Sequence, residues 1–409
     1  MTRVLFPLII VTVLMLLIDL YAFQAVSSAF KSNSTLISGI FWSLSFFSIA
    51  SVLSIIFIPI PNWPHTLRTY LFSFIILLVL AKLFIVFFLL FEDFGRFVRW
   101  AFYKISNTDS ASRSIDRSDF FAKFAVLVGA IPLVSGIYGM AKNAYDYQIH
   151  RVKVKLPQLP KSFEGMKIVQ ISDVHSGSFT AKTPIKRAID MINNENPDLV
   201  FFTGDLVNSR ADEFIPYQSI FGEIKAKEGV FSSLGNHDYG DYYRWRDQQE
   251  KDDNMKLLHR LQAEMGWKLL MNENQIIERN GEQIAVIGVE NWSAKRFGKR
   301  GRLADAKRGA ENVPVKLLLS HDPSHWDAQI RPEFDDIDIT FSGHTHGAQF
   351  GIEFGSFKWS PSQYIYKQWA GLYQKGKQYL YVNRGFGFLG FPGRIGILPE
   401  ITVMELEKA

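Results

Sequence analysis

Long apolar runs near the start of the sequence place the strongest constraint on what this chain can fold into. Residues 4–23, 36–60 and 70–91 are apolar runs whose only charged residues are Asp19 and Lys82. A helix rises 1.5 Å per residue, so about 20 residues cross a hydrocarbon core of about 30 Å. All three runs meet that length. We therefore predict at least three membrane-crossing helices.

A fourth run, residues 124–140, has no charge but contains Pro132 and three glycines. We favour a fourth membrane span, kinked at Pro132, with a helix lying along the membrane surface as the alternative. The first run could instead be a cleaved export signal, because Arg3 precedes it. No clear small-residue cleavage site follows it, so we predict a retained helix. Asp19 and Lys82 are either functional intramembrane charges or, as we favour, charges that are buried within the bundle or snorkel to the membrane surface.

After residue 141 the sequence alternates short apolar stretches with polar and glycine-rich turns, which is typical of a soluble α/β domain. Residues 142–163 are polar and basic and contain Pro157 and Pro160, which predicts a linker leading into an edge strand. We therefore predict a transmembrane helical domain over residues 1–141, a linker over 142–163 and an α/β domain over 164–409.

Polar clusters follow five predicted strands of this second half. The predicted strands are residues 167–172, 198–202, 229–233, 315–319 and 337–341. The clusters after them contain, in order, Asp173 and His175; Gly204 and Asp205; Asn236, His237 and Asp238; His321; and His344 and His346. Strands that enter a sheet in parallel present their carboxyl ends at one edge, so these side chains are expected to converge. Five of the nine histidines lie in these clusters, which chance placement of loop residues does not explain.

Carboxylates, imidazoles and one amide at a single edge are suitable ligands for a pair of divalent ions. Two such ions about 3.5 to 4 Å apart repel each other, so a shared carboxylate is needed, and Asp205 is the best bridging candidate. The chain has no cysteine, which excludes disulfides, iron–sulfur clusters and thiolate zinc sites. Imidazole and carboxylate ligands suit manganese, which we prefer, and also iron or zinc.

The order of these motifs resembles the calcineurin-like metallophosphoesterase superfamily over roughly residues 150–409. The motifs are Asp-x-His, Gly-Asp, Gly-Asn-His-Asp, an isolated His and Gly-His-Thr-His. The stretch after the last histidine further resembles a bacterial branch whose members are attached to membranes, although Ala348 replaces the second glycine usual there. The resemblance implies a sandwich of two mixed sheets flanked by helices, and an integral protein of a bacterial inner membrane.

The resemblance also implies a role for each matched residue. One ion would be held by Asp173, His175, Asp205 and His346, and the other by Asp205, Asn236, His321 and His344. His237 would donate a proton to the leaving oxygen as general acid, or stabilise the transferring phosphoryl group, with Asp238 orienting its ring. A metal-bound hydroxide would attack the phosphorus of a phosphate ester, phosphodiester or pyrophosphate.

Aromatic residues are frequent in the last 60 residues, and several follow the His-x-His loop closely. Such a rim can dock on a lipid bilayer or hold an acyl chain, so we predict a lipid-linked phosphorylated substrate; ordinary core packing is the alternative. Arg384 is a candidate phosphate ligand because its guanidinium matches phosphate oxygens, and a surface ion pair is equally compatible with its position.

Two further functions stay open from sequence. The domain could be a tethered phosphodiesterase for soluble nucleotides, or a non-catalytic membrane sensor that binds a phosphorylated ligand. Nucleic acid is not an expected partner, because the 45 basic residues are scattered among 40 acidic ones without a clustered stripe. Basic residues in the predicted loops divide almost evenly between the two sides of the membrane, so they predict no orientation.

Overall fold

The computed structural model describes residues 2–31, 34–58, 63–105, 119–355 and 357–409. The chain divides into two compact units, Met1–Tyr138 and Gly139–Ala409.

Four long helices account for the apolar runs. They are α1 (Thr2–Ala29), α2 (Ser34–Leu53), α3 (His65–Ile105) and α4 (Asp119–Ala141). All four are long and apolar enough to cross a membrane, which confirms the predicted transmembrane domain. α4 continues through Pro132, so the fourth run forms one continuous helix and not a broken segment. The end of the second predicted run, residues 59 and 60, lies outside the described residues.

Two charges inside the first unit form an ion pair. Lys82 Nζ on α3 lies 2.6 Å from Asp19 Oδ1 on α1, and it also donates to Ser45 Oγ on α2 at 2.8 Å. All three side chains are buried. An isolated charge is costly at this depth, and pairing reduces that cost. The favoured prediction, burial of both charges within the bundle, is confirmed.

Two six-stranded mixed sheets form the second unit. Their strands are β1 (Gln148–Leu156), β2 (Lys167–Ile171), β3 (Leu199–Thr203), β4 (Val230–Ser233), β5 (Trp267–Leu269), β6 (Glu273–Arg279), β7 (Glu282–Gly288), β8 (Lys316–Leu319), β9 (Ile339–Ser342), β12 (Gly371–Lys375), β13 (Gln378–Val382) and β14 (Glu400–Lys408). The order is β1-β14-β2-β3-β4-β5 in one sheet and β12-β13-β9-β8-β7-β6 in the other. A separate hairpin pairs β10 (Ile352–Phe354) with β11 (Phe357–Trp359).

The two sheets pack face to face. Ile168 and Phe201 of the first sheet share one buried cluster with Leu317 and Phe341 of the second. The rings of Phe201 and Phe341 meet edge to face at 4.9 Å. Strands buried on both faces need continuous apolar runs, which explains the short apolar stretches in the sequence. The predicted two-sheet sandwich is confirmed.

Short helices cover the outer faces of the sandwich. They are α5 (Thr183–Asn194), α6 (Gln218–Phe221), α7 (Gln248–Glu264), α8 (Leu303–Ala306) and α9 (Arg331–Glu333). Ile189 of α5 and Leu258 of α7 pack with Phe202 on the first sheet, and Leu303 of α8 packs with Leu318 on the second.

Nine residues of the predicted linker, residues 142–163, form strand β1 of the first sheet. β1 pairs in parallel with β14 from Gln148↔Glu400 to Leu156↔Lys408. The side chains of β1 are mostly exposed or half-buried because it is an edge strand, which explains its polar composition.

Candidate metal centre

The five predicted clusters meet at one edge of the sandwich. β2, β3 and β4 are parallel neighbours in one sheet, and β8 and β9 are parallel neighbours in the other. Each cluster follows the carboxyl end of its strand directly, so sheet geometry alone brings the side chains together. The structure places all seven predicted ligands at this edge.

The first group of possible ligands contains Asp173, His175 and His346. One ligand atom from each lies within 4.8 Å of the others. His346 Nε2 lies 3.3 Å from Asp173 Oδ1, and the rings of His175 and His346 stack at 4.9 Å. Both ring nitrogens of His175 are buried without a hydrogen-bond partner among the described residues. A buried imidazole with no partner fits a metal ligand.

The second group contains Asp205, His321 and His344, again within 4.8 Å. His321 Nε2 lies 3.3 Å from His344 Nδ1. Asn236 lines the same cavity as Asp205 and His344. Its Nδ2 donates to Tyr242 Oη at 3.0 Å, and its Oδ1 is buried without a hydrogen-bond partner among the described residues. That orphaned amide oxygen is suitable for a divalent ion.

Asp205 lies between the two groups. Its Oδ2 is 3.1 Å from His321 Nε2 of the second group and 3.6 Å from His175 Nε2 of the first. Its other oxygen, Oδ1, accepts a hydrogen bond from the backbone of His237 at 2.8 Å. One carboxylate therefore faces both groups, as a bridging ligand must. The residues present fit a pair of divalent ions.

Left-handed backbone is concentrated at this edge. Five predicted ligands have positive φ, namely Asp173 (53°), His175 (46°), Asp205 (60°), His344 (70°) and His346 (50°). This conformation is uncommon outside glycine and costs roughly 1 to 3 kcal/mol per residue. Its repetition at five ligand positions indicates that the turns hold these side chains in place at the expense of backbone energy.

Two glycines allow the turns to approach one another. Gly204 has a φ of +92°, and a Cβ there would lie 2.4 Å from the backbone nitrogen of Gly235. A Cβ on Gly235 would lie 2.2 Å from Asp205 Oδ1. A side chain at Gly235 would displace the Asp205 carboxylate, and one at Gly204 would push the two turns apart.

Burial and charge set the protonation of the ligands. Burial lowers the pKa of His175 to about 3, so its imidazole is neutral at pH 7, the form that binds metal. Burial would raise the pKa of Asp205, but the neighbouring imidazoles, His321 first, hold it well below its usual value. Burial would also lower the pKa of His321, and the charge of Asp205 instead raises it to about 10.

Backbone and side-chain groups orient two of the imidazoles. His321 Nδ1 donates to the carbonyl of Thr203 at 2.6 Å, which leaves Nε2 directed at Asp205. His344 Nε2 lies 2.7 Å from Tyr366 Oη. Such partners fix the tautomer and ring orientation of a ligand. These two partners could not be predicted from the sequence, because every residue has a carbonyl and nothing distinguished Tyr366 from the other aromatic residues nearby.

His237 lies in the cavity above both groups. Its Nδ1 donates to the carbonyl of Asn208 at 2.7 Å, which leaves Nε2 for a substrate. The prediction that the Asp238 carboxylate orients the His237 ring is wrong. The Asp238 carboxylate instead accepts from the backbone N–H groups of Asp205 (2.8 Å), Leu206 (2.8 Å) and Gly235 (2.9 Å).

Arg384 is not available to a phosphate. It is 4% exposed, and its Nη1 lies 2.6 Å from Glu400 Oε2 while its Nε donates to Glu353 Oε2 at 3.1 Å. The predicted phosphate ligand is therefore wrong. The ion pair is present, but it is buried because β14 and the β10–β11 hairpin enclose the guanidinium.

A cavity of about 350 Å³ opens over the two groups. Its floor contains metal-group residues and His237. Its remaining wall is largely apolar and includes Phe297, Ala348, Pro361, Ile365 and Leu389. The site therefore combines a polar, metal-binding floor with an apolar entrance.

Comparison with known proteins finds two family matches. Residues 2–144 match a family described as a probable calcineurin-like phosphoesterase transmembrane domain, and residues 166–348 match the calcineurin-like phosphoesterase family. Together they cover most of the chain and correspond to the membrane helices and the sandwich.

Relatives occur in animals and bacteria. A transmembrane protein with metallophosphoesterase domain from Danio rerio is 28% identical over 75% of this chain and 67% of its own length. The uncharacterized metallophosphoesterase YkuE of Bacillus subtilis is 28% identical over 70% of this chain and 95% of its own. The UDP-2,3-diacylglucosamine pyrophosphatase LpxG of Chlamydia muridarum is 24% identical over 68% of this chain and 94% of its own.

The chain belongs to the calcineurin-like metallophosphoesterases, metal-dependent hydrolases of phosphate esters, and carries its phosphoesterase domain behind a membrane-spanning helical domain.

Proposed function

We propose that this protein hydrolyses the phosphate ester, phosphodiester or pyrophosphate bond of a lipid-linked substrate at the membrane. The observation that carries the proposal is the apolar wall of the metal cavity. Phe297, Ile365 and Leu389 line the same cavity as His175 and Asp205. A small hydrophilic phosphate has little use for such a wall, whereas an acyl or isoprenoid chain gains free energy by contact with it.

The proposed chemistry assigns a task to each group. Asp173, His175, Asp205 and His346 would hold one divalent ion, and Asp205, Asn236, His321 and His344 the other, with manganese preferred. Two bound ions would neutralise phosphate charge and lower the pKa of a coordinated water. His237, held through Nδ1 by Asn208, would donate a proton from Nε2 to the leaving oxygen. The apolar wall would exclude water from the leaving group.

The relative from Chlamydia supports the lipid part of the proposal. Its name describes a pyrophosphatase whose substrate carries two acyl groups. The anchorage of the present chain by four apolar helices would keep its active site within reach of such a substrate. We also infer residence in the inner membrane of a bacterium, from the resemblance of the stretch after the last histidine.

The test uses the full chain in lipid nanodiscs loaded with manganese. Three substrate groups are compared: an aryl phosphodiester, a panel of lipid phosphates and lipid pyrophosphates, and soluble nucleotides. Turnover of a lipid substrate, lost in Asp205→Asn and His237→Ala, supports the proposal. His259→Ala, a half-buried histidine on α7 outside the metal groups, is the matched control and should retain activity.

Other outcomes identify the alternatives. Turnover confined to nucleotides would make the protein a tethered nucleotide phosphodiesterase. Metal-dependent binding of a phosphorylated ligand without turnover of any substrate would make it a membrane sensor.

A further inference from the structure

The β10–β11 hairpin has an unusual distribution of charged and apolar residues. Its cross-strand pairs are Ile352↔Trp359, Glu353↔Lys358 and Phe354↔Phe357. Side chains alternate between faces along a strand, so the charged pair lies on one face and the two apolar pairs on the other. We call Ile352, Phe354, Phe357 and Trp359 the apolar hairpin face.

The charged pair is directed into the protein. Glu353 accepts a hydrogen bond from Arg384 Nε at 3.1 Å, and Arg384 in turn binds Glu400. Lys358 Nζ donates to the carbonyl of Ala370 and lies 5.5 Å from the centre of the Trp369 ring. Both charges of the hairpin therefore have partners within the protein, although the Glu353 side chain stays 27% exposed.

The apolar face is directed outward. Phe354 is 83% exposed, Phe357 60% and Ile352 57%. Surface hairpins ordinarily bury their apolar face and present polar residues to water, and this hairpin does the reverse. Two strands without further cover are marginally stable, and a contiguous exposed apolar surface marks a protein or membrane contact.

One loop of the second unit ties the hairpin to the end of α4. Ile395 donates to the carbonyl of Gln349 at 2.8 Å and accepts from Gly351 at 2.9 Å, directly before β10. The next residue back, Arg394, donates from its backbone to the carbonyl of Gly139 at 3.3 Å. Gly139 belongs to the second unit and is also part of the last turn of α4, a helix long and apolar enough to cross a membrane.

We propose that the apolar hairpin face inserts into the lipid bilayer that anchors this protein. Aromatic side chains are favoured at the boundary between headgroups and acyl chains, and the face supplies three of them. Insertion removes the exposed apolar area from water, and the partners that Glu353 and Lys358 have within the protein reduce the cost of bringing their charges near lipid.

Insertion also brings the metal cavity to the lipid surface. After β11 ends at Trp359, the chain runs through Pro361 to Ile365 and Tyr366, which line the cavity. Tyr364 and Ile365 are exposed. A lipid-linked substrate would then reach the cavity along the hairpin without leaving the membrane. This last consequence rests on the proposed function, whereas the insertion itself does not.

The test uses the absence of cysteine from the chain. The variant Phe354→Cys, made in the full chain, has a single thiol that can be labelled with an environment-sensitive fluorophore such as nitrobenzoxadiazole. The labelled protein is placed in nanodiscs that each contain one copy of the chain. We expect blue-shifted emission that lipids with quenchers on the acyl chain reduce several-fold. Phe357→Cys provides a second labelled site in case the first substitution disturbs the hairpin.

Lys155→Cys is the control. Lys155 is exposed near the carboxyl end of β1. β1 is parallel to β14, and β14 is antiparallel to β2, so this end lies opposite the edge that carries the metal groups. A label there should emit as in water and be unaffected by lipid quenchers.

Three outcomes would overturn the proposal. Water-like emission at both hairpin sites would show that the face stays in solvent. A blue shift that lipid quenchers do not reduce would show that protein covers it, and a shift confined to nanodiscs with two copies would identify a second chain as the cover. None of these readouts depends on turnover, so failure of the proposed function would leave the insertion test intact.

Discussion

The carboxylate of Asp238 accepts a hydrogen bond from the backbone N–H of Asp205 at 2.8 Å. The same carboxylate binds the backbone N–H groups of Leu206 and Gly235, so it joins the turns after β3 and β4 beside Asp205. Asp238 is thus a positioning residue for Asp205, and its substitution should act through the metals.

We expect Asp238→Asn to weaken metal binding by about 10- to 100-fold, as loss of a group that orients a ligand commonly does. Elemental analysis after dialysis against graded manganese concentrations measures this change. Excess manganese should restore most of the activity. A variant that binds manganese normally but stays inactive would instead support a direct role in catalysis.

Asp205→Asn should lose both ions, whereas Asn236→Ala should lose one, because only Asp205 faces both groups. The measurement is metal content per chain. Equal losses in the two variants would contradict the assignment of Asp205 as the bridging ligand.

His237→Ala should retain both ions and lose about 100- to 10,000-fold in kcat on substrates with poor leaving groups. The loss should be much smaller for p-nitrophenyl esters, whose leaving group departs without a proton. Rates on matched alkyl and aryl esters test this. An equal loss on both would argue against proton donation.

Arg384→Met should destabilise the protein by roughly 3 to 5 kcal/mol, because it leaves Glu400 buried without its partner. Burial would raise the pKa of Glu400, but the charge of Arg384 holds it at about 2. The pair therefore contributes stability above pH 4.5 that is lost as the pH falls towards about 2. Apparent Tm measured between pH 7 and pH 3 should fall in the native chain.

The matched control for this prediction is Arg260→Met, which removes an exposed arginine near Glu264 on α7 and should change Tm little. A raised KM in Arg384→Met with unchanged Tm would return Arg384 to the role of a phosphate ligand.

Lys82→Met should also destabilise the protein, since it leaves Asp19 buried and unpaired in the membrane helices. The double variant Asp19→Leu/Lys82→Met should recover much of the loss, because apolar residues replace both charges. The apparent Tm of each variant in one detergent provides the comparison. A double variant as unstable as the single one would contradict this, and would show that apolar residues cannot replace the ion pair.

Several features could be predicted from residue order alone. A long apolar run has few ways to fold other than as a membrane helix, and a cluster directly after a buried strand is placed by that strand. For these reasons the four helices and the meeting of seven possible ligands followed from local sequence, whereas the two-sheet sandwich was implied by the family resemblance.

Other features depended on contacts between distant segments. Asn208 holds His237, while Asp238, its neighbour in sequence, binds the turn after β3 instead. From the sequence, Arg384 was a candidate phosphate ligand or a member of a surface ion pair. In the structure, β14 and the β10–β11 hairpin bury its guanidinium.

The sequence by itself determined the chemistry of the site and the anchorage in the membrane, because residue type and spacing along one strand or helix set both. Only the tertiary structure decided which groups orient the imidazoles, where the charged residues pair and which face of the hairpin meets solvent. Those outcomes depend on hydrogen bonds and burial between segments far apart in the chain, and spacing along the sequence does not encode them.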